Sequence, residues 1–147
     1  MRYEGASPAL SYSYSGVTLT PEPFSPAVLE LLEKVKELFP EAPHFNTVLL
    51  NFYQTGEDHL AYHSDYDEKR YGTAPVIASL SFGAERDFIL RRKDDKDDKT
   101  VFALGAGAAL LMAGACQTEF EHSVPARKSS GVVGRINLTF RYRLPPA

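Results

Sequence analysis

The polar and apolar positions of this chain alternate most strictly near its C-terminus. In Arg135-Ile136-Asn137-Leu138-Thr139-Phe140-Arg141, Arg135, Asn137, Thr139 and Arg141 share one face of an extended segment. Ile136, Leu138, Phe140 and Tyr142 share the other. The apolar face reads as core. The polar face is read either as a solvated strand surface or as a wall that holds an anion. Period-2 segments recur upstream at Thr47–Tyr53, Val76–Phe82, Arg86–Arg92, Lys99–Ala103, Ala108–Met112 and Phe120–Val124. Between them lie Gly83, the charged tip Lys93–Lys99, Gly105-Ala106-Gly107 and Gly114, all turn signals.

One stretch repeats at the helical period instead. Leu29, Leu32, Val35 and Phe39, flanked by Leu31 and Leu38, predict an amphipathic helix over 25–39. Ser25 is suited to the N-cap and Pro26 to the first turn. Phe24 and Leu29 are spaced for a hydrophobic staple, and Glu30 and Lys34 for an i,i+4 pair. Pro40 and Pro43 end the helix. Many short strands with little helix predict a mainly β fold with helical support (α+β), an antiparallel sandwich or jelly roll. The expected organisation is a single domain over 1–147.

Composition narrows the class. The 147 residues are 44% hydrophobic and 24% charged, as in ordinary globular domains. No apolar run approaches the roughly 20 residues of a membrane span. Cys116 is the single cysteine, which excludes an intrachain disulfide and predicts a reducing compartment, cytoplasmic or nuclear. It is expected to be a small buried residue. The net charge of −3 argues against avid, purely electrostatic binding to nucleic acid. Residues 1–74 carry 5 Lys/Arg against 11 Asp/Glu, and residues 75–147 carry 11 against 8. The basic half is the one suited to face phosphate.

Candidate chemistry centres on His63-Ser64-Asp65, which sets an imidazole and a carboxylate two apart. His122 follows in a segment able to lie beside them. Two histidines and a carboxylate leave open coordination positions, the ligand set of non-haem Fe(II) oxygenases, and Zn²⁺ accepts it as well. Thirteen residues after His122 comes the double-arginine strand. Guanidinium forks suit bidentate carboxylate recognition, so Arg135 and Arg141 can hold a dianion such as a 2-oxo dicarboxylic acid. Asn51 and Tyr53 share a strand face and can complete that pocket. Tyr12 and Tyr14 share a face of the Leu10–Leu19 stretch. They read either as half-buried strand tyrosines or as a stacking platform for a base. His44 and His59 read as surface residues.

These stretches together resemble the AlkB family of Fe(II)/2-oxoglutarate-dependent nucleic-acid dealkylases, its DNA and RNA repair branch in particular. The likeness rests on Tyr12–Leu19, Phe45–Tyr53, His63–Glu68, Pro75–Gly83, Leu110–Pro125 and Arg135–Arg141. It implies a double-stranded β-helix, the jelly roll. It implies His63, Asp65 and His122 as iron ligands, and Arg135 and Arg141 as 2-oxoglutarate binders assisted by Asn51, Tyr53 and Asn137, with Ser79 in the pocket. Asp67 would contact the alkylated base, cationic after alkylation, and Tyr14 would stack on it with Tyr12 alongside. Arg86, Arg91 and Arg92 would be phosphate contacts. The implied reaction uses Fe(II), O2 and 2-oxoglutarate to remove alkyl groups from 1-methyladenine- or 3-methylcytosine-type bases in DNA or RNA, releasing formaldehyde, succinate and CO2.

Family members carry more chain before the tyrosine segment than the nine residues that precede Leu10. Residues 1–20 are therefore expected to be the remnant of a nucleotide-recognition lid. The expected partner is alkylated nucleic acid, single-stranded rather than duplex, bound by a monomer without membrane attachment. Two alternatives stand beside this: an oxygenase acting on a protein side chain or metabolite, and a non-catalytic jelly-roll binding module.

Overall fold

A computed structural model describes residues 1–14, 16–128, 131 and 133–146, with the Tyr14 side chain outside that description. Eleven strands and two α-helices are formed among the described residues. In chain order they are β1 (Arg2–Gly5), β2 (Tyr12–Tyr14), β3 (Val17–Leu19), α1 (Pro26–Leu38), β4 (Thr47–Tyr53), β5 (Leu60–His63), α2 (Glu68–Tyr71), β6 (Ile77–Gly83), β7 (Arg86–Arg92), β8 (Lys99–Leu104), β9 (Ala109–Met112), β10 (Phe120–Val124) and β11 (Arg135–Arg141). A 3-10 turn covers Gly114–Gln117.

The strands form a five-stranded sheet, β1-β4-β11-β6-β9, and a four-stranded sheet, β5-β10-β7-β8. Their strand pairs are antiparallel. Tyr53, Ile77, Phe88, Leu104, Met112 and Val124 come from both sheets and pack into one buried cluster, so the sheets face each other as a jelly roll. The outer face of the larger sheet is covered by α1: Val28 and Val35 pack with Val48, Ala78, Leu80, Leu138 and Phe140. The β2–β3 hairpin stands as a separate two-stranded piece.

Local chemistry explains the helix boundaries. Ser25 caps α1, its Oγ accepting from the Val28 N–H, with Pro26 in the first turn. The buried Glu4 carboxylate accepts from both the main chain and hydroxyl of Ser25, which ties β1 to the helix start. Some side-chain expectations are corrected. Leu29 and Leu38 are exposed, while Phe24 packs against the core without a Leu29 staple. Lys34 pairs with Glu37 at i,i+3 instead of Glu30. The reason is that the stripe meeting the sheet runs through Val28, Leu31, Leu32 and Val35, which turns Leu29 and Leu38 toward solvent. Cys116 is half-buried.

Residues 1–20 divide. Arg2–Gly5 is an edge strand of the larger sheet, and only Tyr12–Leu19 forms a hairpin apart from it. Two elements went unanticipated, β1 and α2. Four residues are too short for a periodic signal, and α2 exists because Asp67 caps it, its side chain accepting from the Arg70 N–H.

Central strand β11 decides which face of the alternation looks inward. It pairs with β4 and β6 over its whole length. Its even positions Leu138 and Phe140 lie under α1, whereas Ile136, past the end of that cover, is partly exposed. The odd positions Arg135, Asn137, Thr139 and Arg141 face the interior between the sheets and are all buried. The solvated-surface reading of this face is thereby excluded.

Candidate metal and dicarboxylate site

The cavity between the sheets has a volume of about 370 Å³. His63, Asp65 and His122 line it, as do Asn51, Tyr53, Ser79, Arg135, Asn137, Arg141, Tyr12 and Asp67. The sequence-derived residues thus meet in one place, Tyr14 excepted, whose side chain lies outside the described residues. Arg86, Arg91 and Arg92 do not join them. Arg86 is buried and donates to the carbonyls of Thr55, Asp58 and Pro125. Arg91 pairs with Glu121 and lies over the Tyr62 ring, while Arg92 pairs with Asp94. Each guanidinium already has partners within the fold, so the expected phosphate contacts are not what these side chains make.

Sheet register builds the triad. His63 closes β5 and sits directly opposite His122 in β10, with ring centroids 4.3 Å apart. Asp65, two residues beyond β5, turns its carboxylate toward both rings. Its oxygens lie 3.7 Å from His63 Nε2 and 4.0 Å from His122 Nε2. The ligand atoms all lie within 4.8 Å of one another. The Nδ1–H of His63 donates to the Ala61 carbonyl at 2.8 Å, the tautomer that leaves Nε2 with its lone pair toward Asp65. Burial pushes His122 down to about 4, against the opposing pull of Asp65, so its ring is neutral at pH 7. Burial alone would raise Asp65, but Arg141 and the two histidines outweigh it and hold the carboxyl below its usual range. Two imidazole nitrogens and one carboxylate anion fit a divalent cation.

Arg135 is the second marked feature. It is 2% exposed, and among the described residues it has no carboxylate partner. One Nη donates to Ser81 Oγ at 2.9 Å, and the guanidinium lies over the Tyr53 ring, 5.0 Å from its centroid. Its Nε and other Nη have no hydrogen-bond partner among the described residues. A buried cation with two idle donors is costly unless an anion arrives. Burial lowers Arg135 from its usual value and raises the Tyr53 hydroxyl, each opposed by the other.

The remaining wall is organised around Asn137. Its amide donates to Ser79 Oγ at 2.7 Å and to the Leu80 carbonyl at 3.0 Å, and its Oδ1 accepts from Thr139. It therefore orders the wall beneath Arg135 with its hydrogen bonds directed into the sheet. Ser81 was missed from the sequence although it follows Ser79 at the strand period, which was the available signal. Gln117, which accepts from the Asp65 main chain, carried no periodic signal at all. Asp67 reaches the cavity, but its carboxylate already caps α2 and pairs with Arg70 Nε at 3.2 Å.

Residues 2–141 match the family described as "2OG-Fe(II) oxygenase superfamily". The chain belongs to that superfamily. Its cofactors are Fe(II), 2-oxoglutarate and O2, and the triad and the idle Arg135 donors fit the metal and a dicarboxylate. Among sequence relatives of this superfamily member, the "DNA oxidative demethylase ALKBH2" of Mus musculus is 41% identical over 143 residues, covering 92% of this chain and 58% of the relative. The "Alpha-ketoglutarate-dependent dioxygenase alkB homolog 3" of Mus musculus is 38% identical over 146 residues, covering 92% and 49%. The Arabidopsis thaliana ALKBH2 is 37% identical, covering 95% and 51%. The chain thus spans about half to three-fifths of the curated relatives it matches. A solved structure described as "The structure of OsALKBH1" superposes with a TM-score of 0.62 at 22% identity, over 84% of this chain and 66% of that one. That likeness bears out the jelly roll. No helix among the described residues is long and apolar enough to cross a membrane.

Proposed function

We propose that this oxygenase removes alkyl groups oxidatively from N-alkylated bases of the 1-methyladenine and 3-methylcytosine type in DNA or RNA. The observation that carries the reading is the opening of the His63–Asp65–His122 triad and the Arg135 guanidinium, with two N–H groups idle, into one cavity. The names of the relatives, DNA oxidative demethylases among them, support the substrate class.

In this reading His63, Asp65 and His122 hold the iron. Bound iron, with O2 and 2-oxoglutarate, supplies the oxidation that places a hydroxyl on the N-alkyl carbon and leaves succinate and CO2. Arg135 binds the far carboxylate of 2-oxoglutarate through its idle N–H groups, with the Tyr53 hydroxyl and Asn51 beside it. Asn137 and Ser79 keep that wall in place. Arg141 braces Asp65 and presents its charge to the near end of the same ligand. The low affinity of His122 for protons keeps its ring available as a ligand at neutral pH. The base stacks on Tyr14 with Tyr12 alongside, and Asp67 places negative charge near an alkylated, cationic ring. The hydroxylated alkyl group then leaves as formaldehyde, and the base nitrogen regains its unalkylated state.

We read residues 1–147 as one functional unit, with the Tyr12–Leu19 hairpin on the nucleotide side, acting as a monomer in the cytoplasm or nucleus. Single-stranded nucleic acid is the preferred form in this reading. The net charge of −3 and the internal pairing of Arg86, Arg91 and Arg92 leave few cations for the backbone of a duplex. The test is formaldehyde release from oligonucleotides carrying 1-methyladenine or 3-methylcytosine, single- and double-stranded, with Fe(II) and 2-oxoglutarate. Turnover supports the reading. Folded, metal-loaded protein that turns over none of them overturns it.

A further inference from the structure

Asp65 lies beyond the end of β5, in a stretch without regular secondary structure, so no sheet ladder fixes its main chain. Its position is set from two sides instead. Arg141 donates to one carboxylate oxygen at 2.8 Å. On the other side the Asp65 N–H donates to Gln117 Oε1, also at 2.8 Å, across 52 residues of sequence. Gln117 is itself held firmly. It is fully buried at the end of the 3-10 turn. Its Nε2 approaches Met112 Sδ at 3.4 Å, and its own carbonyl accepts from Lys93 Nζ at 2.8 Å.

Its neighbours, Met112 and Cys116, belong to or pack against the apolar cluster between the sheets. An apolar side chain of the same length would suit that setting better than an amide, whose burial is costly without partners. The amide is accounted for by the one N–H it satisfies. We infer that Gln117 is a positioning residue for the metal: it fixes the main chain of Asp65 so that the carboxylate meets the two histidines. The inference rests on the assignment of His63, Asp65 and His122 as metal ligands. It adds a residue that makes no contact with the metal yet sets the affinity of the site.

The experiment titrates Co(II) alone into the metal-free full chain and follows its visible d–d absorption, with thermal melts of the metal-free proteins alongside. Gln117→Met keeps the length and removes the acceptor. It is expected to weaken Co(II) binding by about ten- to a hundred-fold and to alter the d–d envelope. Gln117→Glu keeps an oxygen for the Asp65 N–H and is expected to restore most of the affinity. Should Gln117→Met fail to fold, Gln117→Asn, whose amide falls one methylene short, takes its place with the same expectation. Parent-like Co(II) affinity in the acceptor-free or shortened variant overturns the inference. So does a Glu variant as weak as the Met or Asn one, since the loss would then follow from disturbed packing. A parent that itself fails to take up Co(II) counts against the metal-site assignment instead, which keeps the two failures apart.

Discussion

Arg141 donates from Nη2 to Asp65 Oδ2 at 2.8 Å, whereas Arg135, six residues earlier on the same strand face, meets no carboxylate among the described residues. The two arginines of one alternating motif therefore have different duties. One completes an ion pair with the carboxylate of the His63–Asp65–His122 cluster; the other keeps two N–H groups without a partner among the described residues.

That difference separates the two lysine variants. Arg135→Lys is expected to raise the KM for 2-oxoglutarate by about ten- to a hundred-fold, the equivalent of losing about 1.5–3 kcal/mol of charge-assisted hydrogen bonding, with metal affinity retained. Arg141→Lys is expected to weaken both metal and 2-oxoglutarate binding. Metal titration and steady-state kinetics check this pair, and identical profiles for the two variants would contradict the division of roles.

Asp65→Asn removes the charge that compensates the buried Arg141. It is expected to destabilise the fold by about 3–5 kcal/mol and to abolish metal binding. Denaturant unfolding without metal reads the first effect and Co(II) titration the second. A variant as stable as the parent would show that the Arg141–Asp65 pair contributes little.

Metal binding should itself stabilise the protein. At a hundred-fold excess over Kd a divalent cation adds about 2.7 kcal/mol. The melting temperature of the parent is expected to rise with Co(II), and that of His122→Ala to stay flat. An equal rise in both would place the metal elsewhere.

Asn137→Leu is expected to cost about 1–3 kcal/mol, because Ser79, Thr139 and the Leu80 carbonyl lose a buried partner together. Since this wall carries Ser81 and Arg135, the KM for 2-oxoglutarate should rise as well. Chemical denaturation beside 2-oxoglutarate kinetics measures both, and a stable variant with unchanged KM would refute the supporting role.

Gly83 adopts φ +89°, and a Cβ there would collide with the Gly134 carbonyl oxygen and press on Arg135 Cα. Gly83→Ala is therefore expected to destabilise by about 1–3 kcal/mol and to disturb the register of Arg135. Thermal melts compared with Gly107→Ala, at φ +79° but in open space, isolate the collision from the backbone strain. Equal losses at the two sites would leave the collision without effect.

The sequence by itself determined the strands that carry the site. The period-2 segments at Thr47–Tyr53, Arg86–Arg92, Phe120–Val124 and Arg135–Arg141 became β4, β7, β10 and β11 with the same ends, because alternation records which side of a strand is dry. It also marked the candidate ligand types, since His63, Asp65 and His122 carry their chemistry in their side chains. Tertiary structure alone decided what those side chains meet. A one-dimensional pattern shows that Arg135 and Arg141 share a face; it does not show that β11 lies between β4 and β6 with that face turned toward the smaller sheet, or that Asp65 reaches only one of the two guanidiniums. The same limit hid Gln117, whose partner lies 52 residues away, and the partners of Arg86, whose charge is met by three carbonyls from two distant loops. Hydrogen bonds that close through space leave no period in the chain, and in this protein they separate Arg141, which braces Asp65, from Arg135, whose N–H groups stay partly idle.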